Sequence, residues 1–396
     1  MFDLSAIQQA IRDFGLDGWL LYDFRGTNPL AKRVLGLSEQ TILSRRWFYW
    51  IPAIGQPAKL VHRIEAGALD HLPGEKQVYL RWDELEWGVA ALIRGAGRIA
   101  MEYSARNAIP YISRVDAGTI ELVRSYGVAV EGSGDLVQLF EAVWSDAQWQ
   151  MHLEAGRHTD SAYARAWAYI VERVQRDGSV RETEVQAAIM DHFHAHGLTT
   201  YHPPIVGVNE HSGDPHYEPL PGRDGEIRLG DFVLIDLWAK VDHPEGVYSD
   251  LTRVGFVGDK VPERYDQIFQ IVASARDAAI ALVRARFAAN EPLRGWEVDQ
   301  AARHVIEAAG YGEQFVHRTG HNIGRETHGN GANMDSLETK ETRLVLPRTC
   351  FSVEPGIYLP EFGIRSEVNV FIDAERRVHV TAGKLQQRVL PLLAMS

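Results

Sequence analysis

The chain has 396 residues, 45% of them hydrophobic and 24% charged, enough length for two or three domains and enough apolar material for ordinary packed cores. A formal net charge of −12, with no run of five or six Lys or Arg, argues against nucleic acid as a partner, since phosphate binding needs a concentrated basic surface. No stretch of 18 apolar residues occurs and the start, Met1-Phe-Asp-Leu-Ser, lacks a basic segment followed by an apolar one, so the expectation is no membrane association and a cytoplasmic location.

Residues 1–145 read as a separate α/β unit. Strand-like runs at 18–22, 47–51, 58–62 and 77–80 alternate with helical stretches such as 4–14 and 84–93. No chemical motif stands out in this half. Arg45, Arg46 and the aromatic run 47–50 read as a buried strand with solvated flanking arginines, or else as a segment that reaches a neighbouring active site.

The boundary falls near Trp144-Ser-Asp-Ala-Gln148, and residues 146–396 form the second domain. A long helix runs to about Arg176, and the next opens on Ser179-Val-Arg-Glu182, a capping-box pattern, and closes before Gly197. A strand-rich stretch follows. Residues 231–239 read as a strand and 247–257 as its return, with Pro244 and Gly246 in the turn. Helices at 262–287 and about 297–309 come next, then a second hairpin, 350–354 with 363–372. Helix, helix, hairpin thus occurs twice, which implies internal pseudo-symmetry, each half contributing one pair of acids to a central site.

Those acids are Asp236 and Asp250 in the first hairpin, Glu354 and Glu367 in the second. A pairing of Asp236 with Asp250 centres on His243, and one of Glu354 with Glu367 centres on Pro360-Glu361. Directly opposed residues in an antiparallel pair have Cβ atoms roughly 4.5–5.5 Å apart, and like charges there are destabilising. Two such pairs make sense as clamps on cations. Four carboxylates balance two dications, and the neutral imidazole of His321, in a turn between glycines, adds a nitrogen without disturbing that balance. Oxygen donors with one imidazole suit Mn²⁺, Co²⁺, Zn²⁺ or Fe²⁺, and the absence of thiolates argues against a structural zinc site. The single cysteine, Cys350, cannot form an internal disulfide and fits a reducing compartment; in an apolar strand it reads as a core thiol rather than a nucleophile. Neither a Walker loop nor a dinucleotide fingerprint after a strand is present, and Gly320-His-Asn-Ile-Gly324 lacks the lysine of a phosphate loop.

The segments Leu234-Ile-Asp236, Ser249-Asp250-Leu-Thr-Arg253, Thr319-Gly-His321-Asn-Ile-Gly324, Val353-Glu354-Pro-Gly-Ile-Tyr358 and Gly363-Ile-Arg365-Ser-Glu367 together resemble the pita-bread metallopeptidases, the family of methionine aminopeptidase, aminopeptidase P and prolidase. The resemblance implies an α+β pita-bread catalytic domain at 146–396, preceded by a creatinase-like α/β domain at 1–145, in a homodimer. It also implies two divalent metal ions: Asp236 on one, His321 and Glu354 on the other, Asp250 and Glu367 bridging. His216 matches a histidine near the scissile bond, His328 one that stabilises the reacting carbonyl, and His317 one that lines the substrate pocket. Arg365 matches an arginine of the proline-specific members; it would grip a substrate carboxylate or make a strand-face salt bridge to an acid such as Glu367. Three departures stand out. The interval from Asp236 to Asp250 is three longer than usual, Asn322 replaces the glycine that commonly follows the metal histidine, and Ser366-Glu367-Val368 replaces a more frequent Glu-Asp ending.

The implied reaction is hydrolysis of the peptide bond before proline in a small peptide. Glu354 is the candidate general base, while His216 and His328 serve the leaving nitrogen and the developing oxyanion. Other readings keep the fold and change the chemistry: an aminopeptidase P-type enzyme, a creatinase-like hydrolase, a lyase acting on a small zwitterion, or a binding protein without catalysis.

Overall fold

Apolar runs without alternation need cover on both faces, and the first strands are used that way. The computed structural model describes residues 2–38, 43–381 and 383–394, and the chain divides into two units, Met1–Glu141 and Ala142–Ser396. In the first unit, β1 (Gly18–Asp23), β2 (Trp47–Pro52), β3 (Ala58–His62), β4 (Glu75–Tyr79), β5 (Arg98–Met101) and β6 (Ala129–Gly132) form one sheet in the order β4-β3-β2-β1-β5-β6. Trp19, Leu21, Trp47 and Tyr49 pack on one face with α1 (Leu4–Asp13), α2 (Pro29–Val34) and α5 (Gly134–Glu141). Leu20, Tyr22, Phe48 and Trp50 pack on the other with α3 (Trp82–Leu92) and α4 (Ala117–Ser125), the two-residue alternation of a strand. Arg45 is exposed and Arg46 half-buried beside the buried β2, as solvated flanks of a core strand.

The second unit opens with α6 (Asp146–Asp177), whose N-cap Ser145 accepts from the Gln148 N–H at 3.2 Å while the Gln148 side chain accepts from the Ser145 N–H at 2.9 Å. Gly178, at φ 85°, ends the helix in the left-handed region that glycine adopts without a Cβ penalty. Residues Ser179–Arg181 then form a short strand, β7, rather than the expected helix cap. The helix α7 (Glu182–Ala195) starts two residues later, with the Glu184 carboxylate accepting from the Arg181 N–H. Glu182 is fully buried and accepts from the backbone N–H groups of Val208 and Gly225 and from the Tyr217 hydroxyl, which is why it could not serve as an exposed cap.

Strands β8 (Leu198–Thr199), β9 (Ile205–Val208) and β10 (Glu226–Arg228) lead to the long hairpin of β11 (Phe232–Val241) and β12 (Ser249–Phe256). Helices α8 (Glu263–Ala288) and α9 (Gly295–Ala308) follow. Then come β13 (Asn322–Ile323), β14 (Cys350–Val353), β15 (Gly356–Tyr358), β16 (Gly363–Arg365), β17 (Val368–Ile372), β18 (Val378–Thr381) and β19 (Leu390–Pro391). One sheet runs β19-β12-β11-β8 with β9 also on β11, and another runs β13-β14-β17-β18. Along β11, Val233, Ile235 and Leu237 face the core shared with α6 and α7, while Phe232 and Leu234 face the core shared with α8 and α9. Asp236 has the parity of Phe232 and Leu234, so it lies on the α8–α9 side of the sheet.

The first hairpin departs from its expected register. Asp236 pairs with Thr252 and Asp250 with Trp238, a shift of two residues that moves the centre of the turn from His243 to Pro244. A two-residue shift keeps both aspartates on one face but places them diagonally, where Cβ separations are about 7–8 Å. The cause lies in the turn: β11 continues to Val241 by pairing with β8, and Gly246 comes so near the Val241 carbonyl that a Cβ would stand 2.3 Å from that oxygen. In the second hairpin the expected register holds on both sides of the acids, with Val353 opposite Val368 and Gly356 opposite Arg365, so Glu354 falls opposite Glu367. Each strand breaks at its acid instead of running through it.

Candidate metal centre

The two sheets meet at these acids. Glu367 donates its N–H to the Thr252 carbonyl at 3.3 Å, and the Asp250 N–H donates to the Asn369 side chain at 3.1 Å, tying β12 to β17. His321 arrives on a turn laid along β14: its N–H donates to Ser352 Oγ at 2.9 Å and its carbonyl accepts from the Ser352 N–H at 2.9 Å. That approach requires Gly320, since a Cβ there would lie 1.9 Å from the Ser352 carbonyl oxygen.

Asp236, Asp250, His321 and Glu367 are buried and Glu354 is half-buried. One donor atom from each of Asp250, His321 and Glu367 lies within 4.8 Å of the other two. His321 Nε2 stands 3.4 Å from Asp250 Oδ2 and 3.4 Å from Glu354 Oε1, while its Nδ1 donates to the Asn322 carbonyl at 3.2 Å. Asp236 pairs with Arg365, so all five predicted ligands occupy one connected cluster.

Arg365 pairs with Asp236 and comes within 3.9 Å of Glu354, but one guanidinium does not offset four carboxylates this close. Two unit charges 4 Å apart at an effective dielectric constant near 20 repel by about 4 kcal/mol. Burial, then the charges of Asp236 and Glu354, raise Asp250 well above the usual range. Burial, then Asp250, does the same to Glu367. Burial raises Asp236 against the opposing charge of Arg365, and it pushes Glu354 up to about 7. Burial, with His328 next in effect, pushes His321 well below its ordinary value, so it is neutral. Asp236 Oδ1 and Glu367 Oε1 are buried with no hydrogen-bond partner. Unpartnered carboxylate oxygens, raised acids and a neutral imidazole with a free lone pair are the donor set a divalent cation fits.

The remaining predicted residues surround this cluster. His328 lies beside it, its ring edge-on to His321 with centroids 4.3 Å apart; it is open to solvent on one side and pushed down by the protein around it and by Arg318. His216 is exposed in a turn and acts electrostatically on both Asp236 and His328. His317 is half-buried, its Nδ1 donating to the Arg318 carbonyl and its Nε2 accepting from the Tyr358 hydroxyl at 2.7 Å. Arg365 is buried: Nη1 donates to Tyr358 at 3.0 Å, Nε to Thr252 Oγ1 at 2.9 Å, and Nη2 pairs with Asp236. The salt-bridge reading of Arg365 is thus realised with Asp236, not with Glu367.

Three site residues were missed in the sequence. Thr252 accepts from Arg365 and donates to Glu367 Oε2 at 2.7 Å, Tyr358 bridges Arg365 and His317, and Ser352 donates to Glu354 Oε1 at 3.0 Å. Thr252 sits two residues beyond Asp250, on its face of β12, and that spacing was the available signal. Tyr358 reads as an ordinary packed strand residue until its hydroxyl is placed.

Comparison with known proteins finds several peptidases similar to this chain. The chain is 27% identical over 348 residues to a probable dipeptidase PepE of Mycobacterium bovis, covering 86% of this chain and 85% of that protein. It is 30% identical over 215 residues to an Xaa-Pro dipeptidase of Lactobacillus delbrueckii subsp. lactis, covering 54% of this chain and 53% of the other. The crystal structure of dipeptidase PepE from Mycobacterium ulcerans superposes with a TM-score of 0.69 at 25% identity, over 98% of this chain and 96% of that one. The mixed α and β architecture is therefore that of the pita-bread peptidases. Residues 150–374, which hold every acid and histidine of the cluster, match the metallopeptidase family M24, and the chain belongs to that family.

Proposed function

We propose that this chain is a dinuclear metal-dependent Xaa-Pro dipeptidase, hydrolysing the bond before proline in small peptides. The observation that carries the reading is the convergence of four carboxylates and one neutral imidazole, with two carboxylate oxygens unpartnered. Dipeptidase names among relatives that align along most of the chain support the substrate class. Asp236 would hold one ion, His321 and Glu354 the other, and Asp250 and Glu367 would bridge. The ions, manganese, cobalt, zinc or iron, would supply activation of a shared water and polarisation of the substrate carbonyl.

The chain's own groups do the rest. Glu354 is the general base, taking a proton and returning it to the departing nitrogen. His328 donates to the carbonyl oxygen as negative charge develops, and exposed His216 meets the substrate nitrogen. His317, fixed by Tyr358, lines the pocket. Proline presents a nitrogen without an N–H in a ring of fixed φ, so a pocket shaped to that ring selects it over other residues. Arg365 holds Asp236 in place, anchored by Thr252 and Tyr358.

The same reading makes residues 1–145 a creatinase-like domain and 146–396 a pita-bread domain with internal pseudo-symmetry, supported by the repeated order α6, α7, hairpin and α8, α9, hairpin. It implies a homodimer in the cytoplasm, where a single buried cysteine is at home; among the described residues no helix is long and apolar enough to cross a membrane. The test is a substrate panel of Ala-Pro, Gly-Pro, Xaa-Pro-Xaa tripeptides, creatine and sulfonium compounds, with metal analysis. Release of proline from dipeptides is expected. Removal of residue one from tripeptides would make it an aminopeptidase P-type enzyme, and turnover of creatine or a sulfonium compound alone would overturn the peptidase reading.

A further inference from the structure

Three histidines outside the acid cluster lie together on the outer helices. His158 is on α6, and His192 and His196 are four residues apart at the end of α7, the spacing that puts two side chains on one helical face. Ring centroids are 4.1 Å apart for His192 and His196 and 4.5 Å for His158 and His196. One ring nitrogen from each lies within 4.8 Å of the other two. We propose that His158, His192 and His196 form a separate metal site for one borderline transition-metal dication such as Zn²⁺, Ni²⁺ or Cu²⁺, clamping α6 to α7.

The hydrogen bonds prepare the lone pairs. His196 Nδ1–H donates to the His192 carbonyl at 2.8 Å, which leaves Nε2 free to bind. The Ser161 hydroxyl donates to the His158 carbonyl at 3.0 Å, so it accepts from His192 Nε2–H at 2.8 Å and leaves His192 Nδ1 free. His158 Nε2 accepts from the exposed Arg157 guanidinium at 3.1 Å, and that side chain must swing off the lone pair for an ion to bind there. Metal-bound histidines characteristically donate their second ring N–H to a carbonyl or another fixed acceptor, as His196 and His192 do here. Bonds of 2.0–2.1 Å to one tetrahedral ion need the three nitrogens roughly 3.4 Å apart. His196 is exposed and the other two half-exposed, so small side-chain rotations can close that distance. Burial, and for both rings the neighbouring His196, hold His158 and His192 below the ordinary histidine range, neutral and able to bind at pH 7. An all-imidazole donor set favours zinc, nickel and copper over manganese, so it selects against the harder ions that suit the carboxylate cluster.

The experiment titrates Ni²⁺ calorimetrically, in buffer with excess Mn²⁺, into wild type, His158→Ala/His196→Ala and Asp250→Ala. Wild type should take up one Ni²⁺ that the double variant binds about 100-fold more weakly or worse, since losing ligands costs more than losing their outer partners. Asp250→Ala should keep that equivalent, and the double variant should keep wild-type peptidase turnover. Its unfolding in EDTA is the check on folding, with His196→Asn, at an exposed position, as a milder variant expected to weaken Ni²⁺ in the same direction. Equal Ni²⁺ affinity in wild type and both His variants overturns the proposal. So does absence of uptake by wild type, or uptake lost in Asp250→Ala and kept in the double variant.

Discussion

His321 holds Nε2 3.4 Å from Asp250 Oδ2 while its Nδ1–H is committed to the Asn322 carbonyl. A neutral imidazole in that tautomer turns a lone pair on a carboxylate, an arrangement that repels unless a proton on the raised Asp250 or a metal cation stands between them. Asp250→Ala removes an oxygen donor from the middle of the cluster. Metal content should fall and turnover of Ala-Pro should drop by at least about 10³-fold, the scale of losing a main electrostatic device. Elemental analysis and steady-state kinetics read both, and full activity would refute the role given to Asp250.

Metal removal should make stability depend on pH with a definite sign. Glu354 rises to about 7 in the folded chain from an ordinary value of 4.5. An acid raised by folding binds its proton more tightly when folded, so its contribution is full below about pH 4.5 and is lost as pH rises through about 7. Asp250 and Glu367 shift in the same direction. In EDTA the melting temperature should therefore fall from pH 5 to 8, and the gap to the Mn²⁺-loaded protein should widen. A gap that stays constant over that range contradicts the clustering of charge.

Arg365 separates support of the site from substrate grip. Three of its donors are used by Asp236, Thr252 and Tyr358. Arg365→Met leaves a buried acid without its cation and should cost about 3–5 kcal/mol in denaturant unfolding of the metal-free protein. With metal restored, kcat should fall and KM should change alike for Ala-Pro and for an Xaa-Pro-Xaa tripeptide. A rise in KM confined to dipeptides would instead mean that the guanidinium binds the proline carboxylate.

Asn322, the departure from the family's glycine, holds the segment after His328. Its side-chain oxygen accepts from the Gly331 N–H at 2.9 Å, its amide donates to the Cys350 carbonyl at 2.9 Å, and its carbonyl accepts from the Gly329 N–H at 2.8 Å. Asn322→Gly should loosen that segment and lower kcat about 10-fold, less than His328→Ala, for which removing an oxyanion donor predicts about 10²–10³-fold. Kinetics of the two variants side by side decide it; a larger loss in Asn322→Gly than in His328→Ala contradicts the order.

Local pattern was enough to find the elements that carry long periodic or unbroken apolar stretches. Strands at 18–22, 47–51 and 58–62 and the helices α6 to α9 were legible because each must bury a face whose spacing is written in its own residues. Strands β5 and β6, four residues each, carry too little pattern to read. The acids were also legible, since a carboxylate inside an apolar strand has no local reason to be there. Tertiary structure alone decided the rest. The register of the first hairpin depends on β8 pairing with the end of β11, and the choice of Asp236 as the partner of Arg365 depends on Thr252 and Tyr358 meeting it from separate strands. The contacts of Arg365 with Thr252 and Asp236 join residues more than 100 positions apart, and no periodicity within a segment encodes which distant side chain will fill the space beside it.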